Sequence, residues 1–305
     1  MISISKGIGD SFGVFLVPIS SHFSWDRSSV TSIFSIYMIS LGLGSLFSGI
    51  LFDRFGAKFN YFFGTSLLVT GYYFSGYSKN LWQFYVLIGI FGGFGASLVG
   101  IVPSQSILSK WFSKNLSTVL SIAYAGQGLG VLIFAPICQI FITNFNWMRS
   151  YNIIGCLFIF IFVILFFLPW QKIESGNSNL KKNQYNSGLN NINLFEALTN
   201  KNFWIFFFIY FNTAIGIFGI SLQVVAYLNY CGFSEIESAF YFGLLGILTF
   251  PGMLFTGIAA DIWKKHFVST FSYFLSFLGI FSLFLLQFYN NYFFLFLFII
   301  SFGLS

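Results

Sequence analysis

Apolar runs of roughly the length a bilayer requires follow one another along almost the whole chain, and this succession constrains the fold more than any single motif. The runs are Ile2 to Ser21, Val30 to Phe52, Phe59 to Tyr77, Leu81 to Leu108, Leu116 to Thr143, Tyr151 to Trp170, Phe203 to Leu228, Ile236 to Ala260, Phe267 to Tyr289, and a shorter one from Tyr292 to Ser305. In hydrocarbon the backbone must satisfy its own polar groups, so spacing of this kind predicts an all-α membrane protein with about nine or ten transmembrane helices. A soluble globule is excluded: with 57% hydrophobic and only 7% charged residues, there is too little polar surface to cover one.

Between the sixth and seventh runs, Gln171 to Asn202 is rich in Asn, Ser and Lys and shows no apolar periodicity. The expected organisation is a six-helix bundle over 1–170, a polar linker over 171–202 and a second, incomplete bundle over 203–305. Placing the N-terminus and linker in the cytoplasm puts Arg54, Lys58, Lys110, Lys114, Lys172, Lys181, Lys182, Lys201, Lys264 and Lys265 inside. Arg27, Lys79 and Arg149 then fall outside. This excess of inner cations predicts a multi-pass protein of the cell membrane with its N-terminus inside.

The net charge of +6 is spread over short loops and forms no patch suited to nucleic acid. Cys138, Cys156 and Cys231 have no paired spacing, and His22 and His266 lie far apart at run boundaries. No metal site, cofactor motif, phosphate loop or catalytic constellation is expected, so the chain does not read as an enzyme.

One polar break has a definite pattern. At the end of the second run, Gly49-x-x-x-Asp53-Arg54-x-Gly56-x-Lys58 sets a glycine turn and cations beside a helix C-terminus, where unpaired carbonyls favour them. Gly257-x-x-x-Asp261 repeats its first part, followed by Ile262-Trp263-Lys264-Lys265 in place of the Arg-x-Gly continuation. The first pattern resembles the loop between the second and third helices of the major facilitator superfamily of transporters. Ser11-Phe12-Gly13-Val14-Phe15 with Pro18, then Phe23-Ser24-Trp25-Asp26-Arg27-Ser28, resembles its monocarboxylate and oxalate-formate branch. So do Gly126-x-Gly128-x-Gly130 with Pro136, and Trp147-x-Arg149. An arginine that this branch often carries on the eighth helix is missing: Met253 follows Gly252 where a Gly-Arg pair is common.

The resemblance implies the major facilitator fold and secondary active transport by rocking two bundles about a central site. It implies a small solute, an organic anion such as a monocarboxylate, with a coupling proton or a counter-substrate, in a lipid bilayer. Asp53 would latch onto a helix of the opposite bundle. Asp10, Tyr37, Tyr124, Gln127, Asn212 and Gln223 lie on the spans that would line the cavity. Each also has a local reading, since polar side chains hydrogen-bond between helices and Asp10 with Lys6 could be solvated near the membrane surface. Locally too, Asp26 suits a helix cap, Gly89 and Gly93, like Gly126 and Gly130, suit close helix contact, and Pro103, Pro136 and Pro251 suit bends. Because the second bundle stops short of six spans, the chain is expected to be a piece of a longer protein. A non-transporting membrane subunit or sensor, and an inactive truncated transporter, remain the alternatives.

Overall fold

The computed structural model describes residues 1–176, 198–233, 235–289 and 291–304, with the side chains at 218, 221–223, 225, 226, 235, 236, 239 and 240 excepted. The chain divides into two compact units, Met1–Leu180 and Lys181–Ser305. The first contains α1 (Ile2–Asp10), α2 (Phe12–Phe23), α3 (Arg27–Ser75), α4 (Leu81–Phe84), a π-helical stretch (Tyr85–Gly92), α5 (Gly93–Leu98), α6 (Ile101–Trp111), α7 (Leu116–Phe167) and α8 (Trp170–Ser175). The second contains α9 (Lys201–Tyr230), α10 (Glu235–Ile262), α11 (Lys265–Tyr289) and α12 (Tyr292–Gly303), and no strand occurs among the described residues. Six helical segments among those residues are long and apolar enough to cross a membrane.

Two of the six are double. A straight helix of 49 residues, the length of α3, would rise about 74 Å, more than twice the hydrocarbon core. The helix instead turns at Gly56, where φ 82 and ψ 178 lie in a region open essentially to glycine alone. In α7 the turn is at Asn146, with φ 68 and ψ 166. Its side-chain oxygen accepts the Arg149 N–H at 3.1 Å, capping the arm that follows. Each long helix therefore carries two of the expected runs, one on each arm.

The first and fourth runs are broken. Ser11 leaves helical geometry (φ -75, ψ 3) just past Asp10, and its Oγ donates to the Gly7 carbonyl at 2.6 Å. In the fourth, Gly100 (φ -89, ψ -140) starts α6 afresh, which corrects the reading of Pro103 as a bend inside a span. Pro103 sits in the first turn of α6, where no intrahelical donor is required. Asp26 occupies the position before α3, but its side chain makes no capping hydrogen bond, so that expectation also fails. Pro136 and Pro251 do lie inside helices.

Lipid is as apolar as leucine, so helices in it associate through close packing and hydrogen bonds. The first unit uses both. A Cβ on Gly7 would stand 2.5 Å from the Gly130 backbone, and one on Gly93 2.5 Å from the Tyr37 carbonyl, so α1 meets α7 and the fourth run meets α3 at bare backbone. Between them lies an aromatic core in which Phe15 stacks on Tyr151 at 4.2 Å and Tyr72 on Phe158 at 5.3 Å. In the second unit α12 packs against α10 and α11 around Leu286, Leu295, Phe298 and Phe302.

Candidate functional site

Charges inside a span are costly, so the pair on α1 sets the site. Lys6 and Asp10 are one turn apart on one helix face, and Lys6 Nζ lies 2.9 Å from Asp10 Oδ1, both side chains about a quarter exposed (22% and 27%). The break at Ser11 ends α1 directly beyond the carboxylate.

Lys6 also walls a cavity of about 290 Å3 within the first unit. Its other polar walls are Ser5, Ser45, Ser97 and Gln127, and Leu41, Ala96, Ile101 and Val102 close it with apolar surface. The three serine hydroxyls donate to carbonyls of their own helices, which leaves their oxygens as acceptors, and a cation and an amide beside them at a small apolar chamber can orient a compact solute carrying one anionic end. Gly44 leaves the room that Ser97 occupies: a Cβ there would collide with its hydroxyl.

The remaining candidates scatter. Tyr37 is buried, 1% exposed, with its hydroxyl pressed against Gly9, and it does not line the cavity. Tyr124 donates to Gln105 Oε1 at 3.2 Å, an interhelical hydrogen bond. Asn212, on α9, is exposed and donates to the Phe208 carbonyl of its own helix at 2.8 Å. It borders a separate apolar groove of about 680 Å3 in the second unit, beside Thr213 and Tyr273, which are hydrogen-bonded at 3.0 Å. The Gln223 side chain lies outside the described residues. Of the six, therefore, Gln127 lines the cavity with Lys6, and Asp10 reaches it through Lys6.

The loop motif is held from an unforeseen direction. Lys58 N–H, in the first turn after Gly56, donates to Glu174 Oε1 at 2.8 Å, so a carboxylate from α8 sits at the amino end of the second arm of α3. Trp111 Nε1 donates to the Ile173 carbonyl at 2.9 Å, tying the end of α6 to the same short helix. Arg54 and Lys58 lie over the rings of Phe55 and Phe62, at 5.2 and 6.0 Å, and Lys110 over Phe52 at 4.9 Å. Asp53 is exposed and makes no hydrogen bond or ion pair among the described residues, and Gly49 faces Val102 across ordinary contact distance. In the second unit Gly257 is buried and Asp261 half-buried on α10. Sequence reasoning missed Glu174, Ser45 and Ser97. Glu174 carried one signal, as a carboxylate directly after the sixth run.

Among the described residues no group of His, Cys, Asp or Glu could hold a metal ion. Comparison with known proteins agrees with the helical architecture. A model of the Major Facilitator Superfamily matches residues 2–305. An uncharacterised transporter of that type from Bacillus subtilis, YcxA, is 30% identical over 146 residues, 48% of this chain and 36% of its own. Human monocarboxylate transporter 7 is 30% identical over 151 residues, 50% of this chain and 29% of its own, so this chain spans about a third of the length of the relatives it matches. Among solved structures, the proton:xylose symporter XylE superposes with a TM-score of 0.69 over 99% of this chain and 77% of that one, at 12% identity, a likeness of fold alone. The chain is a multi-pass integral membrane protein, not an enzyme, and belongs to the major facilitator superfamily.

Proposed function

We propose that the protein is a secondary active transporter of a small organic anion, a monocarboxylate being the best candidate, that works by alternating access. The observation that carries this reading is the Lys6–Asp10 pair at the wall of the small cavity. In the solute-free state each charge neutralises the other in a medium that penalises either alone. A solute carboxylate entering the cavity takes Lys6 as its counter-ion. Asp10, deprived of its partner, takes up a proton, so anion and proton load together and the site stays neutral overall. Gln127 and the hydroxyls of Ser5, Ser45 and Ser97 orient the rest of the solute. The similarity to proteins named monocarboxylate transporters supports the solute class.

The same reading gives a six-helix bundle over 1–170, a cytoplasmic linker over 171–202 and a second bundle from 203, in the cell membrane with the N-terminus inside. Asp53, exposed beside the Gly56 turn, then acts as a latch on the opposite bundle, and Asp53→Asn changes transport rate without changing solute preference.

Uptake of radiolabelled lactate by the full-length protein in liposomes tests the central claim. Lys6→Gln is expected to lower uptake at least tenfold, and Asp10→Asn to abolish its dependence on an inward proton gradient while solute exchange continues. Uptake by Lys6→Gln equal to wild type would overturn the assignment. For orientation, a cysteine at Asn177 in a cysteine-free background should resist an impermeant thiol reagent in intact cells, and ready labelling would reverse the topology.

A further inference from the structure

Buried polar atoms in proteins almost always have a partner, yet six side-chain atoms of the first unit have none among the described residues, and four of these lie in its aromatic core. They are the hydroxyls of Tyr37, Tyr72 and Tyr151 and the Nε1 of Trp147, on residues 1%, 2%, 1% and 4% exposed. The four are neighbours. Tyr72 and Tyr151 stack 6.3 Å apart, and Trp147 lies edge-on to Tyr151 at 6.4 Å. Tyr37 is within electrostatic reach of Tyr72, and both are within reach of Asp10. Cys138 is also within electrostatic reach of Tyr72 and Tyr151, and Lys6 pairs with Asp10. At the far end, the exposed ring of His22 meets Trp147 edge-on at 5.4 Å. None of the four residues lines the cavity that Lys6 walls.

An isolated buried hydroxyl is explained by poor packing, but four orphaned groups within one aromatic cluster point to a shared partner. It must both donate and accept, since a tyrosine hydroxyl does both while an indole N–H only donates. It must also be small, because close-packed rings surround the groups. Water meets both conditions, and two to four polar neighbours are what a buried water requires.

We propose that the interior of the first unit binds a short file of water molecules, held by Tyr37, Tyr72, Tyr151 and Trp147, that carries protons between Asp10 and the His22 end of the bundle. The role of the file rests on the proton-coupled reading of Asp10, whereas the water site does not. In each transfer a water or tyrosine hydroxyl accepts one proton and releases another, so one proton moves along the line and nothing is oxidised or reduced. The protonation of Asp10 is thereby separated from the chamber that the solute fills.

Hydroxyl-radical labelling by X-ray radiolysis reports side chains next to bound water, whatever the transport activity. In the full-length protein in lipid nanodiscs, Tyr72 and Tyr151 are expected to label at least fivefold faster than the equally buried Phe15 and Phe158. Tyr72→Phe should lower Tm and slow proton-driven uptake about tenfold, leaving solute exchange intact. Tyrosine labelling as slow as that of the two phenylalanines, together with a higher Tm for Tyr72→Phe, would overturn the water site. Rapid labelling with proton-driven uptake unchanged in both Tyr72→Phe and Tyr151→Phe would overturn the relay. Rapid labelling in a protein whose uptake ignores the proton gradient would place the failure in the reading of Asp10 and leave the water site standing.

Discussion

The two units are equally apolar to the eye and are packed in different ways. In the first, glycines mark places where helices touch backbone to backbone, as Gly7 does with Gly130 and Gly93 with Tyr37. In the second, a Cβ added at Gly216, Gly219, Gly243 or Gly246 would meet nothing within 4 Å among the described residues, and the close approaches are confined to α12, where Gly252 meets the Leu304 backbone, Gly279 meets Phe302 and Gly303 meets Leu248. Large side chains show where the second unit is least covered. Phe15 and Phe158 are shut in the first core, whereas Phe206 and Tyr210 on α9 are 61% and 71% exposed. Hydropathy assigns a segment to the membrane, but small residues in register decide which faces meet, because lipid competes for every apolar surface.

The sharpest way to break this contrast is to fill a glycine in each unit. Gly130→Leu forces a side chain into the backbone of Ser3 and should remove most folded protein, as judged by size-exclusion recovery in detergent, since overpacking commonly costs about 1–3 kcal/mol even where neighbours can move. Gly216→Leu should leave recovery and Tm nearly unchanged, within about 0.5 kcal/mol. Equal damage from both would erase the distinction.

Buried hydrogen bonds give a smaller effect. Asn60 Nδ2 donates to the carbonyl and the Oγ of Ser48 at 3.3 and 3.0 Å, fully enclosed, so Asn60→Leu should destabilise by about 1–3 kcal/mol in a thermal melt. Thr213→Ala in the second unit breaks an exposed pair with Tyr273 and should cost about 0.6 kcal/mol. An effect of similar size concerns α8. Glu174→Gln weakens a charge at the start of a helix arm, worth about 0.3–1 kcal/mol, and should show as faster modification of a cysteine placed at Ala57.

How far the sequence could be read depended on the range of the interaction. The turn at Gly56 was legible because glycine beside Asp53, Arg54 and Lys58 has few other uses at a helix exit. Gln127 was legible as a cavity wall only through the resemblance of its Gly-x-Gly-x-Gly surroundings. Glu174 was not, because nothing local to it names Lys58, which lies 116 residues away. Lys6 was read as a partner for Asp10, and its second role depends on how the fourth run packs beside it. Tyr37 shows the opposite failure. Its hydroxyl suggested a solute contact, and helix packing turned it inward against Gly9.

The π-helical stretch Tyr85–Gly92 has a consequence for register. An α-helix advances about 100° per residue, so a widened turn changes the phase of everything beyond it. Gly89 and Gly93 face Ile36 and Tyr37 on the first arm of α3, while Gly95 faces Leu68 on the second, and Ala96 and Ser97 wall the Lys6 cavity. Deleting one residue from the stretch would regularise the helix and swing Ser97 away from that chamber by about a quarter turn. The irregular turn thus acts as a spacer in angle, letting one run serve two arms of a neighbouring helix and a cavity at once.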